Sequence, residues 1–169
     1  QNQYDHSIRV PLIFAGPSID VGVKKTGMFY LHSLFPTILN IAEIDAPKNT
    51  DSISVAGLLS GKKDHVREFI YGAYKDLQRM VRTRSHKLIY YPHIEKTQLF
   101  DVANDPLEMR DISSDEDNQI LMTTLLAELE RLKIEVGDPL QNKNPVESFS
   151  EYKKDDYYPK RWPRRELNL

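Results

Sequence analysis

Between residues 67 and 102 four short runs of strand-forming residues follow one another so closely that only one kind of pairing is open to them. The runs are 67–74, 78–84, 86–92 and 97–102, joined by connections of a few residues, with Val81, Leu88, Ile89, Tyr90, Leu99 and Phe100 as their apolar content. A parallel crossover needs roughly a dozen residues, so such connections select antiparallel neighbours. A sheet with an apolar face needs a cover, and one lies downstream. Leu121, Leu125, Leu129, Leu132 and Val136 recur at helical spacing, opposite Glu128, Arg131 and Lys133. Ser113 with Glu116 three residues on reads as a capping box, and Gly137 followed by Pro139 reads as a helix end. The expectation is a four-stranded antiparallel sheet packed on one long helix.

The chain before residue 65 has a different character. Residues 8–15 are apolar at nearly every position and stop at Gly16-Pro17, which predicts a strand covered on both faces, as in a parallel sheet. Residues 18–28 read as a glycine-containing loop. A helix is predicted over 33–44, with Leu34, Phe35, Ile38, Leu39, Ile41 and Ala42 on one stripe, Ser33 as N-cap and Pro36 in the first turn. Leu58-Leu59-Ser60-Gly61 reads as one helical turn. The class is α+β, in three parts: 1–64 as the end of an α/β layer, 65–140 as the sheet-plus-helix subdomain, and 141–169 as an irregular basic and aromatic tail. That tail carries Tyr157, Tyr158 and Trp162 without a usable period.

Composition removes several function classes. The 169 residues hold 23 basic and 25 acidic side chains, a net charge of −2, which gives no reason to expect nucleic acid or an anionic membrane as partner. The tail run Lys160-Arg161 and Arg164-Arg165 with interleaved aromatics would suit nucleic acid, but the overall balance argues against it. Without cysteine the chain has no disulfide, thiolate site or cysteine nucleophile. No apolar run approaches the ~20 residues of a membrane span. The five histidines, His6, His32, His65, His86 and His93, are scattered and none pairs at metal-ligand spacing.

Four motifs in order carry a resemblance: Tyr4-Asp5-His6-Ser7-Ile8-Arg9-Val10-Pro11, Leu34-Phe35-Pro36-Thr37-Ile38, Arg79-Met80-Val81-Arg82-Thr83 with Lys87-Leu88-Ile89, and Leu99-Phe100-Asp101-Val102-Ala103-Asn104-Asp105-Pro106 with Glu108. From about Gln1 to Gly137 the chain resembles the C-terminal portion of a type I, formylglycine-dependent sulfatase of the alkaline-phosphatase-like superfamily. The resemblance implies that the strand and helix of 1–64 are a remnant of that α/β core domain. It also implies a missing N-terminal part as partner, holding the formylglycine nucleophile, the calcium site and the sulfate-gripping lysine. This chain is then expected to contain no catalytic residue, no metal site and no cofactor of its own, and to be inactive alone. The implied activity is hydrolysis of sulfate esters on carbohydrate, a sulfated polysaccharide or glycosaminoglycan, by an exported enzyme (periplasmic, secreted or lysosomal). Two alternatives stay open: a non-catalytic sulfated-glycan-binding module, and part of a phosphatase or phosphodiesterase of the same superfamily.

The candidate substrate-binding residues are His6, Arg79, Arg82, Gln78 and Lys75. His6 sits where the chain enters the predicted strand, an edge at which α/β ligands gather, although a structural hydrogen bond would also account for it. Arg79, Arg82 and Arg84 are expected to share one face of a strand, preceded by Lys75 and Gln78, and arginine suits bidentate recognition of sulfate or uronate. A solvated face or ion pairs to carboxylates is the competing account. Arg9 reads as structural, and Asp105-Pro106 with Glu108 as a turn and helix entry that mimics a carboxylate pair.

Overall fold

A computed structural model describes residues 2–17 and 19–140. Its sheet is the predicted one. β1 (Ile70–Tyr74), β2 (Gln78–Arg82), β3 (His86–Tyr91) and β4 (Lys96–Asp101) pair antiparallel in the order β1-β2-β3-β4. Register sorts their side chains. Tyr71 faces Val81, Val81 faces Leu88 and Leu88 faces Leu99, which places these four on one side of the sheet. Met80 faces both Gly72 and Ile89, and these share the other side with Phe100, Gln78, Arg82, Lys87 and Gln98.

Each side has its own cover. The long helix (Gln119–Glu135) lays Leu125, Leu129 and Leu132 on Val81, Leu88 and Leu99, all buried. Leu121 is half-buried at the margin of that core, whereas Val136 is exposed. Gly137 closes the helix at φ +66, a conformation that suits glycine at C′. Ser113 does not cap it. Its backbone N–H donates to Asp111 Oδ1 instead, and a 3-10 turn (Glu116–Asn118) leads into the helix. The opposite side of the sheet, built on Met80, Ile89, Phe100 and Val102, is covered by the start of the chain through Tyr4.

The predicted strand at 8–15 does not form. A four-residue helix (Asp5–Ile8) is followed by chain outside any helix or strand, and Val10, Leu12 and Ile13 are exposed, Ile13 by 90%. A strand exists only beside a hydrogen-bonded neighbour, and among the described residues none runs along this stretch. The predicted helix is shorter than 33–44. It runs Leu34–Ile41, entered from a 3-10 turn (Leu31–Ser33), with Ser33 in helical conformation and making no side-chain cap. Its buried residues are Pro36 and Thr37, while Phe35, Ile38 and Ile41 face solvent. Thr37 Oγ1 donates to Ser33 O (2.6 Å) and accepts the Val55 N–H (2.8 Å), which ties this helix to the turn Ala56–Leu59. Val55, Leu58 and Leu59 make a small core there with Phe14, Ile19, Phe29 and Val66. The expected tail at 141–169 lies outside the described residues.

Candidate functional site

The residues preceding His6 cross the sheet on the face opposite the long helix, and each is fastened to it. Gln3 donates its N–H to Gln78 Oε1 (3.0 Å) and receives Lys87 Nζ on its carbonyl (3.1 Å). Its side chain lies over Gly72, where a Cβ would stand 2.4 Å from Gln3 Oε1, so the absence of a side chain on β1 is what lets it lie so close. Tyr4 sets its ring edge-on to Phe100 (5.6 Å between centroids) and donates its hydroxyl to Gln98 Oε1 (2.8 Å). Asp5 donates its N–H to Glu108 Oε2 (2.6 Å).

Beneath Asp5 four charges meet. Its carboxylate takes Lys87 Nζ and Arg82 Nη2, the latter at 2.9 Å, and Lys87 also faces Glu108 Oε1 at 2.5 Å. Lys87 is fully buried and Glu108 nearly so. Two anions balance two cations, as burial of ionised groups requires. Glu108 reaches this position from a backbone held at φ 55, the left-handed region. Arg9 approaches Asp5 only at 4.0 Å from a largely exposed position. His6 stands beyond the cluster, exposed, its ring stacked on Tyr4 (5.8 Å, 9° between planes).

The other predicted site residues are divided between the two faces. Positions 79 and 82 differ by an odd number, so Arg79 and Arg82 point to opposite sides of β2, which corrects the expectation of a single arginine face. Arg82 joins the Asp5 cluster. Arg79 is 2% exposed on the helix side and grips Asp138 with two nitrogens, Nε–Oδ2 2.7 Å and Nη2–Oδ1 3.1 Å. It also donates to the carbonyls of Lys75 (2.6 Å) and Gln78 (2.9 Å). Arg84 lies past the strand end and donates to Asp64 O (2.6 Å). Gln78 holds Gln3, and Lys75, exposed in the β1–β2 turn, sets its ammonium 5.8 Å from the Tyr74 ring. Gln78 and Arg82 stand at the two ends of β2, about 13 Å apart at the rise of a strand, so the five do not converge on one point.

Asp138 and Tyr71 perturb each other's titration. Burial pushes the Asp138 pKa up, but hydrogen bonds from Arg79, Tyr71 and the Leu140 N–H outweigh that and hold the carboxyl below its ordinary range. Tyr71, giving its hydroxyl proton to Asp138, is pushed well above the ordinary tyrosine value by burial and by that bond. This second network clamps the end of the long helix to β1 and β2. It leaves the guanidinium of Arg79 buried against Asp138 and out of reach of a ligand at the surface.

Asp5, Lys87 and Glu108 escaped the sequence reading, which left Lys87 inside a strand motif and Glu108 in a helix entry. The signal was present in the alternation. Lys87 has the parity of Ile89, and a lysine on an inward face demands carboxylates. The turn expected at Asp105-Pro106 does form, with the Asp105 N–H on Asp101 O (2.7 Å) and Asp105 Oδ2 accepting the Arg110 N–H (2.8 Å).

The stretch 1–135 matches the family described as N-sulphoglucosamine sulphohydrolase, C-terminal. An arylsulfatase of Clostridium perfringens is 26% identical over 138 residues, covering 75% of this chain and 29% of the relative. A Delta 4,5-hexuronate-2-O-sulfatase of Bacteroides thetaiotaomicron is 32% identical over 124 residues, covering 66% of this chain and 26% of the relative. A solved 2-O GAG sulfatase shares the fold, with a TM-score of 0.67 at 24% identity over 78% of this chain and 31% of that one. The chain thus spans between a quarter and a third of the length of these proteins.

Proposed function

The chain belongs to the sulfatase C-terminal family, and from that premise we propose that it closes an enzyme hydrolysing sulfate esters on carbohydrate. The observation that carries this reading is the meeting of separated motifs at one place. Tyr4-Asp5 from the first, Arg82 and Lys87 from the third and Glu108 from the last come together beneath His6. His6 is the substrate-facing residue in this reading. Its imidazole, backed by the Tyr4 ring and with Nε2 3.4 Å from Asn2 Nδ2, offers its other nitrogen to a sugar hydroxyl or a uronate oxygen at the edge of the pocket. Gln78 and Lys75 flank the same face at the far end of β2, where an extended glycan could reach them. Arg82 and Arg79 serve as scaffold, since their guanidinium groups are engaged by Asp5 and Asp138. The two relatives named for 2-O-sulfated hexuronate and 2-O GAG substrates favour a sulfated uronate-containing saccharide.

Membership of the family implies calcium and a formylglycine for the full-length enzyme. The buried carboxylates among the described residues do not fit the calcium. Asp5, Glu108 and Asp138 already face the chain's own cations, and among the described residues no three of His, Asp or Glu converge on a point that could hold a metal. In this reading calcium and formylglycine would be held by the part of the full-length enzyme outside this chain.

The test is an assay of the whole enzyme on a 2-O-sulfated uronate disaccharide, a chromogenic aryl sulfate and the matching phosphate ester. Sulfate release from the disaccharide is expected, with His6→Ala lowering turnover of the disaccharide more than that of the aryl sulfate. Preference for the phosphate ester would select the phosphatase alternative. Equal losses on both sulfates would remove His6 from the sugar subsite.

A further inference from the structure

We infer that Asp5, Arg82, Lys87 and Glu108 form a charge-balanced lock whose task is to fix the segment carrying His6 on the sheet, which makes Lys87 and Glu108 positioning residues for substrate. This rests on the reading of His6 as substrate-facing. Fold stability alone does not explain the cluster. Burying four ionised groups is costly, and well-packed apolar residues of similar volume would commonly hold the fold as well or better. What ionic and hydrogen-bonding groups add is direction, because each donor fixes its acceptor in one place.

The anchors fall where such a role needs them. Gln3 N–H, Gln3 O, the Tyr4 hydroxyl and the Asp5 carboxylate are tied to sheet side chains and the Asp5 N–H to Glu108 beyond β4, and these are the three residues directly before His6. After His6 the chain is tied back only to Tyr4 and Asp5, through the N–H groups of Ser7, Ile8 and Arg9 and the distant Arg9–Asp5 pair, and residues 7–13 are exposed. The lock also joins the segment to three elements: β2 through Arg82, its paired neighbour β3 through Lys87, and the loop after β4 through Glu108. A subdomain far along the chain from residue 6 thereby sets where residue 6 sits. Both oxygens of Glu108 face donors, Oε1 the Lys87 ammonium and Oε2 the Asp5 N–H. Its amide counterpart could accept from only one of them.

That asymmetry supplies the test. Glu108→Gln keeps the volume but turns an NH2 toward Lys87 or toward the Asp5 N–H. Amide hydrogen exchange on the full chain should then quicken at residues 4–8 by about tenfold or more, with residues 125–132 of the long helix unchanged. Lys87→Met, which deletes the ties to Asp5 and to the Gln3 carbonyl, should quicken exchange at the same residues and likewise spare 125–132. Unchanged exchange at 4–8 in either variant, or acceleration shared equally with 125–132, would overturn the lock. In the whole enzyme, Glu108→Gln and His6→Ala should each lower kcat/KM on the 2-O-sulfated disaccharide, and the double variant should fall no further than the worse single. Independent, multiplicative losses would show that Glu108 does not act through His6. If the unaltered enzyme releases no sulfate, the proposed function falls, while the exchange measurement still decides the lock.

Discussion

Arg79 separates a residue that touches ligand from one that holds the fold, and Arg79→Met tests which it is. Methionine preserves the apolar stem and removes the guanidinium. The loss can be worked from the contacts. An ion pair with Asp138 at 2.7 Å and a hydrogen bond to it at 3.1 Å vanish between side chains 2–3% exposed, together with the donors to the Lys75 and Gln78 carbonyls. Asp138 keeps Tyr71 and the Leu140 N–H but loses its counter-charge. Removing one partner of a buried pair costs about 3–5 kcal/mol. For a chain of this size each kcal/mol lowers the melting temperature by about 2–4 °C, so a drop of roughly 6–20 °C is expected in a thermal melt followed by circular dichroism. Arg79→Met/Asp138→Asn should recover part of it, because the stranded charge is gone and the amide oxygen still accepts the Leu140 N–H. A scaffold role for Arg79 is refuted if Arg79→Met melts within roughly 2 °C of the parent while glycan turnover by the whole enzyme collapses. That pattern would belong to a ligand-facing arginine.

Other outcomes follow from the same structure. Leu125→Ala, at the centre of the contact between helix and sheet, should cost about 2–5 kcal/mol in a urea titration, and a neutral result would move the helix off the sheet. Asp138 titrates below its unfolded value, so it contributes stability that is present above pH ~4 and lost as pH falls through its folded pKa. Asp138→Asn should therefore show a smaller drop in urea midpoint between about pH 6 and about pH 3 than the parent does. With Val10, Leu12, Ile13, Phe35, Ile38 and Ile41 exposed, the isolated chain should bind a hydrophobic dye or self-associate. A dye-silent monomer in analytical ultracentrifugation would contradict this. The same isolated chain, given a chromogenic aryl sulfate and calcium, should release no product above background.

The sheet and its helix were legible because their causes are local. Short connections between β1, β2, β3 and β4 leave no choice but antiparallel pairing, and the Leu125, Leu129 and Leu132 stripe needs only the helical period to find its partner face. The motifs around Tyr4, Lys87 and Glu108 were equally visible, and with them the family. The fate of residues 8–15 was not visible, since their apolar pattern describes a covered strand while a strand requires a neighbour that the described chain does not place beside them. Nor could the strand run Gln78–Arg82 reveal that Arg79 would be engaged by Asp138, 59 positions away, and Arg82 by Asp5 on the reverse face. Parity separates the two arginines, but which carboxylate awaits each depends on how the long helix ends and how the start of the chain crosses the sheet. The buried quartet is the clearest case. A lysine on an inward face announces from sequence that carboxylates must meet it. Only tertiary structure decides that these are Asp5 and Glu108, 103 residues apart, because a long-range ion pair is set by the packing of the sheet between them and leaves no period in the chain.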